Sequence, residues 1–194
     1  MLLKTEEKVD LRILRTRKML MQSFMELMGE KDLQAITVSD IAERAMVNRA
    51  TFYAHFTDKY DLFAYLVQVH FETAVREGLS DSTGEFNLEN LRTLILVVFE
   101  FMAELNGGCT TPSHQQFRPM VETQVQTKLY EILWQWVETD GGDELTAVPA
   151  VTVSMLSWTI FGMGIQWSQH TFAASAEAVA DQLLATFTDG LFSK

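Results

Sequence analysis

The stretch that decides the fold is TVSDIAERAMVNRATFYAHF, residues 37–56. Thr37 stands three residues before Asp40, the hydroxyl-then-acid spacing of a capping box that opens a helix. That helix is expected over residues 39–45, with Ile41, Ala42 and Ala45 turned inward. Asn48 is a good N-cap for a second short helix over 49–56, where Phe52 and Phe56 lie four residues apart on one face. Two short helices joined by a tight connection form a helix-turn-helix, and the small Ala42 and Ala45 let the second cross closely over the first. With both Phe inward, Arg49, Thr51, Tyr53 and His55 are left outside, all capable of hydrogen bonds. In this motif the second helix enters the major groove of DNA while neighbouring segments grip phosphates. Lys59, Arg17 and Lys18 are the cations placed for that grip.

Helical periodicity continues on both sides of the motif. Ile13, Leu20, Phe24 and Leu27 mark one face of a helix over 10–28, ended by GEKD at 29–32. After Thr57 and Asp58 a long helix reaching about residue 78 carries Leu62, Leu66, Val69 and Val75. The polar stretch 78–85 is the expected domain boundary. Asn87 then caps a helix to about residue 105, followed by the irregular NGGCTTPSH at 106–114. Further helices are expected at roughly 118–138, 148–169 and 176–191, broken by DGGD at 140–143 and by Thr171. No long alternating run and no internal repeat is present. The expected class is all-α: a three-helix helix-turn-helix domain over residues 1–56, helix 58–78 as connector, and a second helical domain over 79–194.

The overall charge argues against a nucleic-acid partner until it is divided. The 194 residues carry a formal −11 with a pI near 4.7, whereas phosphate binding needs Lys and Arg. Residues 1–78 hold 11 Lys/Arg and 12 Asp/Glu; residues 79–194 hold 4 and 14. The acidity therefore belongs to the second segment, along with all four Trp. Within the first, Arg12, Arg15, Arg17 and Lys18 fall inside seven residues, and Arg44, Arg49 and Lys59 follow. Only this segment is suited to face DNA.

Residues 37–62, which add TDKYDL to the motif, closely resemble the DNA-binding domain of the tetracycline-repressor (TetR) family, and in particular the branch common in Firmicutes. The elements that carry this are Asn48-Arg49-x-Thr51-Phe52-Tyr53 and Asp58-Lys59-x-Asp61-Leu62, within a resemblance covering about residues 10–65. It implies an all-helical homodimer whose N-terminal domain reads a palindromic double-stranded DNA operator and whose C-terminal domain binds a small-molecule effector and dimerises. The expected function is a transcriptional repressor released by its effector. Carried over by position, base and phosphate contacts fall on Ser39, Asn48, Arg49, Ala50, Thr51, Tyr53, His55 and Lys59, with Thr37 at the N-terminus of the first motif helix. Two departures stand out. The family usually has Gly where this chain has Met46, so either the turn is adjusted or a bulky residue at positive φ makes the head less stable. It also often has Gly where Ala50 stands, which should not harm docking. The competing reading is a protein that keeps this fold but acts as a coactivator through a protein partner; it should have lost the polar contacts that Arg49, Thr51, Tyr53 and His55 retain.

In the second domain the resemblance gives architecture only. The effector pocket is expected among His70, Phe99, Met102, Phe117, Met120, Trp134, Met155 and Trp158, since Met and aromatic side chains make adaptable linings. His70 and His114 are the nearby groups able to orient a polar effector, and the 106–114 loop is a candidate lid. The dimer seam is expected on the last two helices, at Phe161, Gly162 and Ile165 and along Val179, Leu183 and Phe187. Gly162 and Gly164 would allow close helix approach.

Other classes find little support. The single cysteine, Cys109, excludes an intramolecular disulfide framework, and with His114 it matches no nucleophile signature. No phosphate-binding glycine loop and no metal-ligand spacing occurs, so neither enzymatic activity nor a cofactor or metal is expected. The start, MLLKTEEKVD, has acids where a signal peptide needs an apolar stretch, so a cytoplasmic setting is expected. Between Glu144 and Glu177 no residue is formally charged except through His170. Yet the apolar portion 150–165 is interrupted by Thr152, Ser154, Ser157 and Thr159 and lacks basic flanks. A helix buried against protein, not a membrane partner, is expected there.

Overall fold

A computed structural model describes residues 11–79, 86–108, 112–139, 149–170 and 173–191, and every regular element among them is helical. In chain order they are α1 (Leu11–Glu30), a single 3₁₀ turn (Leu33–Ala35), α2 (Val38–Arg44), α3 (Arg49–Tyr53), α4 (Lys59–Gly78), α5 (Leu88–Gly108), α6 (Pro112–Thr139), α7 (Pro149–Ser168) and α8 (Ala176–Leu191). Contacts divide the chain into two units, Met1–Leu66 and Val67–Lys194. The 78–85 boundary, the 140–143 break, Thr171 and Cys109 fall wholly or mostly outside the described residues.

In the first unit, the head, α1 buries Leu20, Ser23, Phe24 and Leu27, the spacing of a helix with one apolar stripe. Leu33, Ile36, Ile41, Ala42, Ala45, Phe52, Phe56 and Leu62 complete this core. Phe24 meets the ring edge of Phe63 on α4 at 6.3 Å between centroids. Ile13 does not join them. It is 42% exposed, with Leu11 and Leu14 beside it, because the core packs on α1 only from Leu20 onward.

In the second unit α5 is the central element, packed against both α7 and α8, while α6 packs on α7. Leu91, Leu94, Ile95, Val98, Phe99 and Met102 bury the α5 side of this bundle. Gly164 on α7 has a structural reason: a Cβ there would stand 3.1 Å from Val98 Cγ1 and 3.4 Å from Phe99 Cδ1, so the close approach is made to α5. The irregular stretch expected at 106–114 is mostly helix. Asn106 and the two glycines complete the last turn of α5. Pro112 opens α6, at a first-turn position where its missing N–H costs nothing. The lid reading of that loop is thereby withdrawn, since only 109–111 remain, and they lie outside the described residues.

Replacing Phe24 by Ala removes a fully buried ring at the centre of the head. The expected loss is about 3–5 kcal/mol, measured as a lowered urea midpoint followed by far-ultraviolet circular dichroism.

Candidate nucleic-acid interface

The motif is assembled from local hydrogen bonds before any packing is considered. Thr37 caps α2 with a complete capping box: the Asp40 N–H donates to Thr37 Oγ1 at 3.1 Å, and the Thr37 N–H donates to Asp40 Oδ2 at 2.8 Å. The same carboxylate oxygen accepts from Lys31 Nζ at 2.8 Å. The Lys31 bond and the two Thr37 bonds together hold the Asp40 carboxyl down at about 2. The turn after α2 keeps Met46 at a φ of 53°, with the Val47 N–H bonded to Ala42 O at 2.9 Å. The turn is therefore not adjusted. The strained backbone is kept, at a cost of about 1–2 kcal/mol, and the side chain is 89% exposed, so its bulk meets nothing.

Asn48 Oδ1 caps α3, accepting from the Thr51 N–H at 2.7 Å and from the Thr51 hydroxyl at 3.0 Å. Phe52 and Phe56 are buried, as their spacing requires, with ring centroids 6.0 Å apart. Arg49 and Ala50 are exposed, and Tyr53 is 50% exposed with its ring edge-on to Phe52 at 5.6 Å. Thr37 and Ser39 are exposed at the start of α2.

Three parts of the expected set need correction. The second helix ends at Tyr53, not Phe56, so His55 lies in the turn that follows, half-buried, its N–H bonded to Phe52 O. The Thr51 hydroxyl proton is committed to Asn48 and serves the helix start. Lys59 is the largest departure: its ammonium donates to the carbonyls of Leu33, Gln34 and Ile36 at 2.8, 2.9 and 2.8 Å. All three of its donors are engaged inside the head, and burial pushes it below the usual lysine range against the pull of Asp40 and Asp58. An ammonium so engaged is not a free phosphate ligand.

Sorting the remaining cations by partner sharpens the charge argument. Arg44 makes a two-pronged pair with Glu30, at 2.8 Å on each prong, and reaches Glu26 at 3.5 Å. These contacts tie α2 to α1 and hold the Glu30 carboxyl below its ordinary value. Lys31 is paired with Asp40. Arg15, Lys18 and Arg49 have no ion-pair partner among the described residues. Neither the Arg44 fork nor the Lys59 tripod has a sequence signal, because the partners are 14 to 26 residues apart.

The residues expected around an effector differ widely in burial. Phe99, Met102 and Phe117 are buried core, Phe99 stacking on Trp167 at 5.7 Å. Met120 and Trp134 are half-buried, and His70 is exposed with its ring edge toward Phe101. Met155 and Trp158 are 52% and 61% exposed, and the His114 side chain lies outside the described residues. A cleft of about 260 Å³ instead runs between α4 and α6, lined by Glu72, Val75, Arg76, Leu79, Lys128, Glu131, Ile132, Gln135 and Trp136. None of the eight expected residues lines it.

The expected dimer seam is likewise used within the subunit. Phe161, Val179, Leu183 and Phe187 are buried in the single chain, because α5 packs on α7 and α8 and the Arg92–Asp181 pair at 2.6 Å ties α5 to α8. Gly162 and Ile165 are half-buried, and a Cβ at Gly162 would meet nothing. The apolar residues left exposed on α7 are Val151 (54%), Met155 and Trp158.

A capped two-helix motif that holds exposed Arg49 and Tyr53 on a packed core is a helix-turn-helix head. Residues 21–66 match the family model described as bacterial regulatory proteins, tetR family, so the head is similar to the DNA-binding domain of that family. It is 28% identical over 102 residues to an uncharacterized helix-turn-helix-type transcriptional regulator, YxbF, of Bacillus subtilis, covering 52% of this chain and 27% of that protein. Over 81 residues it is 30% identical to the dhaKLM operon transcriptional activator DhaS of Lactococcus lactis, covering 42% of this chain and 41% of that protein. The matches thus span less than half the length of these two relatives. In fold the chain is similar to a TetR-family regulator from Streptomyces coelicolor, with a TM-score of 0.54 and 16% identity over 93% of this chain and 96% of that one. Among the described residues no helix is long and apolar enough to cross a membrane, and no group of three or more His, Cys, Asp or Glu could hold a metal.

The Asp40 carboxyl gives the head a pH dependence whose sign is fixed. Its folded value lies below the ordinary 3.8, so the unfolded chain binds the proton more tightly and stability is lost on acidification. The contribution is complete above about pH 4 and drains away toward pH 2. Thermal melts across that window are expected to fall further for the wild-type chain than for Asp40→Ala.

Proposed function

We propose that this protein is a DNA-binding transcriptional regulator that acts as a homodimer on a palindromic operator. The observation that carries the reading is α3. Asn48 caps its start, Phe52 anchors it in the core, and Arg49 and Tyr53 stay exposed and hydrogen-bond competent. Two such helices would enter successive major grooves, with half-site centres about 34–36 Å apart. Retention of Arg49 and Tyr53 favours DNA over a protein partner. Arg49→Ala is expected to weaken binding to a duplex selected from random sequence by about 1–3 kcal/mol with the melting temperature unchanged. Unaltered affinity in Arg49→Ala and Tyr53→Phe alike would remove α3 as the reading element.

The regulatory part of the reading is repression relieved by a small molecule held in the second unit. The resemblance supports it, and so does the α4–α6 cleft, where apolar Val75, Leu79, Ile132 and Trp136 stand beside Lys128 and Arg76. The effector acts only through its differential affinity for DNA-bound and free states. The same likeness covers an activator among its relatives, so the sign of regulation is read from reporter expression with and without the gene.

The second copy is assigned to the outward side of α7. Val151, Met155 and Trp158 follow one another at spacings of four and three residues, which places them on one helical stripe with open space beside Gly162. Such a stripe is suited to the helix-on-helix packing of a symmetric bundle. Trp158→Glu, at an exposed position, is expected to give a folded monomer in sedimentation equilibrium; a persisting dimer would move the interface elsewhere.

A further inference from the structure

One cation of the head is held in a way that core packing does not explain. The guanidinium carbon of Arg17, on α1, lies 5.5 Å from the centre of the Phe56 ring and 5.0 Å from that of Tyr65, with those rings 5.5 Å apart. Its Nε–H is buried between them without a hydrogen-bond partner, an arrangement that normally destabilises and that the two ring faces offset in part. Its two Nη groups likewise have no protein partner among the described residues, and they are not buried.

A guanidinium held over two ring faces, with its terminal fork open, is preorganised for two oxygens of one phosphate. Its location suits a nucleic-acid backbone. Phe56 stands three residues after the recognition helix and packs on Phe52, whose ring in turn meets Tyr53. The fork is therefore fixed relative to the side chains that face the groove. We propose that Arg17 is a phosphate clamp of the head, in the role that Lys59 does not fill: both Nη groups donate to one DNA phosphate, and the Phe56–Tyr65 pair sets where that phosphate sits relative to α3. This rests on the DNA-binding reading above.

The test uses the full chain and two probes, a 30-base-pair duplex of mixed sequence and a duplex enriched from random sequence by the wild-type protein. Binding is measured as a function of salt, alongside melting temperature. A lost phosphate contact lowers the slope of log K against log salt by about 0.9 for each bound head, so Arg17→Ala is expected to show that decrease on both probes. Arg17→Gln reads the same slope should the alanine variant not fold, and Arg17→Lys, which keeps a point charge, should recover it. Tyr65→Leu is expected to weaken binding, with Tyr65→Phe, which keeps the ring, restoring it. Wild-type binding with an unchanged slope in Arg17→Ala, together with a lowered melting temperature, makes Arg17 a strut and overturns the proposal alone. A wild-type chain that binds neither probe overturns the DNA-binding reading, and the clamp with it.

Discussion

Three backbone carbonyls, those of Leu33, Gln34 and Ile36, converge on the ammonium of Lys59. Much of the head follows from this contact. Within the turn the Leu33 carbonyl takes a local bond, from the Ile36 N–H at 3.3 Å, and Lys59 adds a donor to it and to the carbonyls of Gln34 and Ile36. Lys59 stands at the first position of α4, where a cation is disfavoured by the helix dipole; the carbonyls supply the compensating negative ends. The turn is thereby tied to the start of α4, and the next residue along, Thr37, is set to cap α2. The position of the recognition helix thus depends on a contact between residues 23 to 26 apart in sequence.

The electrostatics of the head are a division of cations between internal and external work. Arg44 and Lys31 neutralise Glu26, Glu30 and Asp40, and in doing so bind α1 to α2 and support the capping box. Arg15, Lys18 and Arg49 keep their charge unpaired among the described residues, and Arg17 keeps its terminal donors open between aromatic rings. A count of Lys and Arg treats these groups alike. Only the partner of each shows that part of the head's positive charge is structural and the rest is available to an anion.

In the second unit, the uncharged segment before Glu177 is resolved into two faces of α7. One, carrying Leu156, Ile160, Phe161 and Gly164, is closed against neighbouring helices of its own chain. The other carries Val151, Met155 and Trp158 into the open. An exposed apolar stripe on an otherwise packed helix is the feature on which the proposed second-copy contact rests.

The sequence by itself determined the all-helical class and the helix-turn-helix, because caps and apolar spacing are local: Thr37 with Asp40, Asn48 before Arg49, and Phe52 with Phe56 act within four residues. It also put Arg49 and Tyr53 outside, while the resemblance left open whether the turn at Met46 is adjusted or strained, which only the backbone, at a φ of 53°, decided. What it could not contain is which side chain of several equivalent ones meets which neighbour. Lys59 was legible as a cation but not as a ligand of carbonyls. Val179, Leu183 and Phe187 were legible as an apolar seam but not as one closed by α5, and Met155 and Trp158 as apolar but not as outward-facing. Periodicity gives the direction of a side chain from its own helix axis. Only the packing of helices distant in sequence decides whether that direction ends in core, in solvent or against a charge.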